Sequence, residues 1–193
     1  MQLSFKFLPS ECSNDHQTRV LIDGQDITES LEDGVLGIDP VEFFSQSALR
    51  GSGKLLIGRC KCGCVGCGDM IVSVSRSSTE VEWQHYFPVG PKYVFSVPEY
   101  DLAVEAGAAD VSWENIERTA ERLVSKLDYS EFKRHGLLFE WASARIKSDR
   151  MTLSFKKENA QQFYDAPWDH KFPTNAVEAV QQMLTKLIGE LDS

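Results

Sequence analysis

No run of roughly 18 consecutive apolar residues occurs in this 193-residue chain, so no helical membrane span is expected. The opening stretch, MQLSFKFLPSEC, holds one lysine and a very short apolar patch. It lacks the apolar core and small-residue cleavage site of a secretory signal. A cytoplasmic protein is therefore expected, where thiols stay reduced unless they bind metal or carry out redox chemistry. Positive charge is also in deficit: 20 lysines and arginines stand against 29 aspartates and glutamates, a formal net charge of −9. An acidic surface repels phosphate backbones, which argues against generic nucleic-acid binding. It favours solubility and would suit a basic protein partner.

Internal repeats and low-complexity linkers are missing too, and one domain spanning residues 1–193 is the simplest partition. A complete phosphate-binding loop is absent from RGSGKLL (50–56). That motif needs glycine at position 48 and serine or threonine at position 55, where the chain has Ala48 and Leu55, and a strand is expected to follow. No Ser–His–acid spacing is local enough to assign a triad.

What the chain does have is strand periodicity broken by helical periodicity. Residues 2–8 and 18–23 read as short strands, and DPVEFFSQSALRGSG as one or two helical turns opened by Asp39-Pro40. KLLIG (54–58), MIVSVSR (70–76), EVEWQHYF (80–87) and YVFSV (93–97) read as a meander, with Val81, Trp83, His85 and Phe87 on one face. PEYDLAVEAGAAD predicts a short helix. SWENIERTAERLVSKL predicts a longer one, with Ser112 as N-cap and Gly136 closing the helical region. LLFEWASARIK and RMTLSFKK predict a hairpin turning at Ser148-Asp149. ENAQQFYDAPWDHKFP reads as irregular and aromatic. An amphipathic helix from about Thr174 ends the chain, with Val180 and Leu184 in its buried stripe. Strands and helices come in runs. That pattern predicts an α+β fold, an antiparallel sheet of hairpins packed against two or three amphipathic helices.

Four of the five cysteines fall in eight positions: Cys60, Cys62, Cys64 and Cys67, within RCKCGCVGCGD. The run lies between two strands, so it should form a hairpin tip. Gly63, Gly66 and Gly68 permit the left-handed backbone angles that aim successive amides at one point. CVGCG has the form of a zinc knuckle, and in extended chain Cys60 and Cys62 share a face. Three uses of these thiols stay open. They could hold a structural metal, with zinc as the fitting ion and His85 or His170 as a further ligand. They could be small packing residues. They could do redox work, although a thioredoxin-like CxxC opens a helix and here a strand follows.

The stretch LLIGRCKCGCVGCGDMIVSVSRSSTEVEW resembles a group of small bacterial proteins, without established activity, that share a C-x-C-G-x-x-G-C-G hairpin followed by a strand and a tryptophan. The resemblance covers about 30 of the 193 residues. Cys60, Cys62 and Cys67 match the shared pattern, and Cys64 is an additional cysteine. The resemblance implies a bacterial source and three structurally important cysteines.

Other candidates have plainer explanations. Glu80 and Glu82 share a strand face that solvent can cover. Arg145, Lys147, Arg150, Lys156 and Lys157 give the late hairpin a basic edge, a usual guard against unwanted pairing. The aromatic loop 163–172, with Trp168, Asp169 and His170, is either a contact site or a segment pinned to the core. Together these features predict a non-enzymatic protein-binding module with a Gly/Cys-rich structural hairpin. The alternative is a thiol-redox or small-molecule enzyme using the cysteine loop or the aromatic loop.

Overall fold

A computed structural model describes residues 1–10, 16–28, 35–60, 62, 66–87 and 90–192, with the side chains of 86 and 87 left aside. The fold is α+β, with antiparallel sheets and helices packed on them. The chain divides into two compact units, Met1–Trp113 and Glu114–Ser193. Each encloses its own apolar cluster.

The first unit begins with β1 (Leu3–Pro9), β2 (His16–Ile22) and the two-residue β3 (Gln25–Asp26), an antiparallel sheet in that order. A five-stranded meander follows: β4 (Val35–Gly37), β5 (Gly53–Cys60), β6 (Met70–Arg76), β7 (Glu80–Phe87) and β8 (Lys92–Ser96). The Thr18 amide donates to the Ile38 carbonyl at 2.7 Å and links the two sheets. Between β4 and β5 lie α1 (Pro40–Ser45) and a 3-10 turn (Ser47–Leu49). Asp39 caps α1 by accepting from the amides of Val41 and Glu42, with Pro40 in the first turn, as its sequence predicts. After β8 comes α2 (Val97–Ala109). Alternation along β7 buries Val81, Trp83 and His85 on one face. The Trp83 indole N–H donates to the Tyr100 hydroxyl of α2 at 3.3 Å. Burial pushes that phenol up to about 12.

Two local devices set the upper end of the meander. The β5–β6 pairing slips between Leu56 and Gly58, a bulge that places Gly58 opposite Met70. Beside it, the Gln46 side chain brackets the Leu56 backbone, donating to its carbonyl at 2.9 Å and accepting from its amide at 2.8 Å.

In the second unit, α3 (Ile116–Ser125) and α4 (Ser130–Arg134) precede a meander of β9 (Leu137–Ser143), β10 (Arg150–Lys157) and β11 (Ala160–Pro167), and α5 (Pro173–Leu191) closes the chain. Val180 and Leu184 of α5 are buried. Among the described residues, no helix is long and apolar enough to cross a membrane.

Three expectations need correction here. Asn115, not Ser112, caps α3, because its side chain accepts the Arg118 amide at 2.9 Å while the Ser112 amide bonds Asp110. The expected hairpin forms and turns at Ser148-Asp149, but β9 stops at Ser143, short of the predicted strand. The Glu121 carboxylate draws the chain off the strand there, accepting from the Ser143 hydroxyl, the Ala144 amide and the Arg145 guanidinium. The segment read as irregular contains β11, paired residue for residue with β10.

A Cβ at Gly37 would lie 2.1 Å from the Thr18 carbonyl oxygen, which β2 holds in place, whereas one at Gly189 on α5 meets open space. Gly37→Ala should lower stability by about 1–3 kcal/mol or more, since backbone must move to admit it. Gly189→Ala should raise it by up to about 1 kcal/mol through helix propensity. Urea unfolding of both variants checks the opposite signs.

Candidate metal centre

The cysteine segment joins β5 to β6, as expected for a hairpin tip. β5 delivers Cys60 as its last residue, opposite Val35 of β4. Gly58, two residues earlier, lets β4 come this close: a Cβ there would lie 2.3 Å from the Val35 side chain. On the returning side, Gly66 and Gly68 adopt φ of +81° and +75°, left-handed angles that turn the chain back toward β6 at little cost.

Asp69, the residue before β6, ties the turn to its base. One carboxylate oxygen accepts the Gly66 amide at 3.2 Å, and the other lies 3.5 Å from the Arg59 guanidinium. Arg59 in turn reaches Glu42 of α1 at 3.6 Å. The net effect is that both strands of the ribbon end on one charged brace, with the thiols just beyond it.

The Sγ atoms of Cys60, Cys62 and Cys67 lie within 4.8 Å of one another. Thiolates around a tetrahedral zinc, each about 2.3 Å from the metal, sit roughly 3.8 Å apart, so a small inward movement is enough. None of the three is in a disulfide. Cys62 and Cys67 are exposed and Cys60 is half-buried, unlike thiols that serve as core filler. Sharing a hydrogen bond with Cys62 and facing developing charge on Cys62 and Cys60, the Cys67 thiol is pushed up to about 11. That shift opposes a ready nucleophile, and β6 rather than a helix follows the turn. The geometry offers one soft cation three soft donors, already linked to one another by thiol hydrogen bonds.

Cys64, the fourth predicted ligand, lies outside the described residues, as does Cys12. Neither histidine joins the cluster. His85 is buried on β7 beside Tyr93, where burial lowers its pKa and keeps the ring neutral. His170 belongs to the second unit, 3.3 Å from Glu117. The brace of Asp69 escaped the sequence reading, although its place directly after the last glycine of the turn was a usable signal.

The aromatic loop is pinned to its own unit. Trp168 is only 4% exposed, donates its indole N–H to the Phe172 carbonyl at 2.9 Å and stacks on His170 at 4.2 Å. Asp169 accepts the Lys171 amide and pairs with its ammonium, and these two bonds hold its carboxyl below the usual range. Of the carboxylates considered earlier, Glu82 is engaged by Lys92 at 2.6 Å. Of the basic edge, Arg145, Lys147 and Arg150 pair with Glu121, Asp165 and Asp149.

In metal-free protein, alkylation of Cys67 by iodoacetamide should still be accelerating at pH 10, because its thiol deprotonates only near pH 11. An unperturbed thiol, with a pKa of about 8.5, has levelled off by then. Mass spectrometry of the modified tryptic peptide against pH measures it, and a plateau by pH 9 would remove the thiol coupling.

No family model matches this chain, and neither a curated protein nor a solved structure matches it.

Proposed function

We propose that the β5–β6 tip holds one zinc ion through Cys60, Cys62, Cys67 and Cys64, and that the ion serves architecture in a non-enzymatic, bacterial, cytoplasmic protein-binding module. The observation that carries this reading is the approach of three sulfurs to within 4.8 Å of one another at a braced hairpin end. Zinc is the natural choice for a thiolate-rich site, because it accepts four sulfurs tetrahedrally and does no redox chemistry. The high pKa of Cys67 supports it as well. Neighbouring thiolates resist one another until a cation offsets their charge. Binding then expels protons and adds its free energy to folding, so the metal would stabilise the turn. The partner reading rests on charge, since a chain of net charge −9 favours a basic surface.

Protein purified without added metal should contain about one zinc per chain, with Cys60, Cys62, Cys64 and Cys67 slow to titrate. Chelation should release those thiols and lower the melting temperature. Cys60→Ser or Cys67→Ser should cut zinc content about tenfold or more, while Cys12→Ser keeps it. X-ray absorption should show a sulfur shell at about 2.3 Å. Rapid titration of every thiol in native protein lacking metal would overturn the assignment.

A further inference from the structure

A groove of about 820 Å³ runs along the first unit between β1 and α2. That volume lies within the range of ligand-binding clefts. Its α2 wall presents Leu102, which is 68% exposed, with the small side chains of Ala103 and Ala106 beside it. Small residues in this wall leave room that larger ones would fill.

The opposite wall is a sheet edge. Among the described strands, β1 pairs only with β2. Phe5 faces Val20 and Phe7 faces Thr18 in that pairing. Yet the Val20 carbonyl accepts from Ile27 and the Thr18 amide donates to Ile38, so both residues direct backbone groups away from β1. In an antiparallel ladder this makes them non-hydrogen-bonded pairs. By the same alternation Leu3, Phe5 and Phe7 present their amides and carbonyls to the side away from β2, and all three residues line the groove.

The rim is acidic. Asp23, Glu99 and Asp110 line the groove, as does Met1, whose ammonium donates to the Val94 carbonyl, and among the described residues no lysine or arginine side chain does. Each carboxylate accepts from a neutral donor: the Gln2 amide, the Ser96 hydroxyl and the Ser112 amide. Among the described residues no lysine or arginine side chain pairs with them. The wider field has the same sign. Met1–Trp113 carries 16 acidic and 8 basic side chains, a net −8, whereas Glu114–Ser193 carries 13 and 12, a net −1. Nearly all the chain's excess charge belongs to the unit that holds this groove.

We propose that the groove binds an extended basic segment of a partner protein, added as a strand beside β1. Main-chain bonds to Leu3, Phe5 and Phe7 supply affinity. Alternate apolar side chains of the segment lie against Leu102 and Ala106, and its lysines or arginines meet Asp23, Glu99 and Asp110. The partner's chemistry rests on the protein-binding reading above. The site itself owes nothing to the cysteines.

The test uses the full chain and a fluorescein-labelled peptide of about nine alternating lysine and valine residues, followed by anisotropy. Binding should weaken about tenfold or more in Ala106→Trp, which fills the groove, and in a peptide N-methylated along one edge, but not along the other. Glu99→Gln with Asp110→Asn, which leaves the groove's shape intact, should weaken binding several-fold and flatten its salt dependence. A glutamate–valine peptide should not bind. No binding, binding indifferent to Ala106→Trp, or equal loss from methylating either edge would overturn the proposal. So would a dimer of the chain alone in sedimentation equilibrium that Ala106→Trp dissolves, since a second copy would then be the occupant. Zinc measured in the same samples keeps the two readings apart: peptide binding by metal-free chain leaves the groove standing while the metal site fails.

Discussion

The carboxylate of Asp69 is the point on which the cysteine turn depends. One oxygen takes the Gly66 amide and the other faces Arg59, so a single side chain fixes where the turn leaves β5 and where it enters β6. Without that brace the left-handed angles at Gly66 and Gly68 would permit many loop shapes, and glycine loses the most conformational freedom when one is chosen. The groups that hold Gly66 and face the end of β5 are not themselves ligands. This division of labour, in which neighbouring residues orient the first ring of donors, is general in metal sites.

Much of the fold was legible where periodicity was strict. β6 and β7 begin and end where their alternation does, and α5 starts within a residue of its predicted onset, because a long apolar stripe and Pro173 leave little choice. β11 was hidden because its glutamines, aspartate and proline resemble loop composition, while its order comes from complete pairing with β10. The end of β9 was hidden for a different reason: a buried carboxylate on α3, distant in sequence, decides it. The boundary at Trp113 has no linker composition to announce it, since Asn115 starts a helix almost at once.

The candidate site divides in the same way. Thiol density and glycine spacing pointed to Cys60, Cys62, Cys64 and Cys67 at a hairpin end, and Cys60, Cys62 and Cys67 do meet, Cys64 lying outside the described residues. The groove could not be read, because it is assembled from β1 and α2, about a hundred residues apart in the chain. A close approach at Gly107, where a Cβ would meet the Phe5 ring at 2.6 Å, sets its depth. Trp168 is a case the sequence left with two readings. Its aromatic cluster with polar company left recognition and anchoring both open, and the buried indole shows anchoring at Trp168, while Phe163 and Phe172 stay exposed, at 55% and 62%.

Gln46 has a consequence for fidelity of assembly. Its amide clasps both backbone groups of Leu56, a pair of bonds that only one residue can satisfy at a time. Should β5 slide by a single position, both contacts would be lost together and every side chain beyond would face the wrong way. The clasp therefore acts as an index mark on the ribbon, counting four residues ahead to decide on which side of the sheet Cys60 emerges.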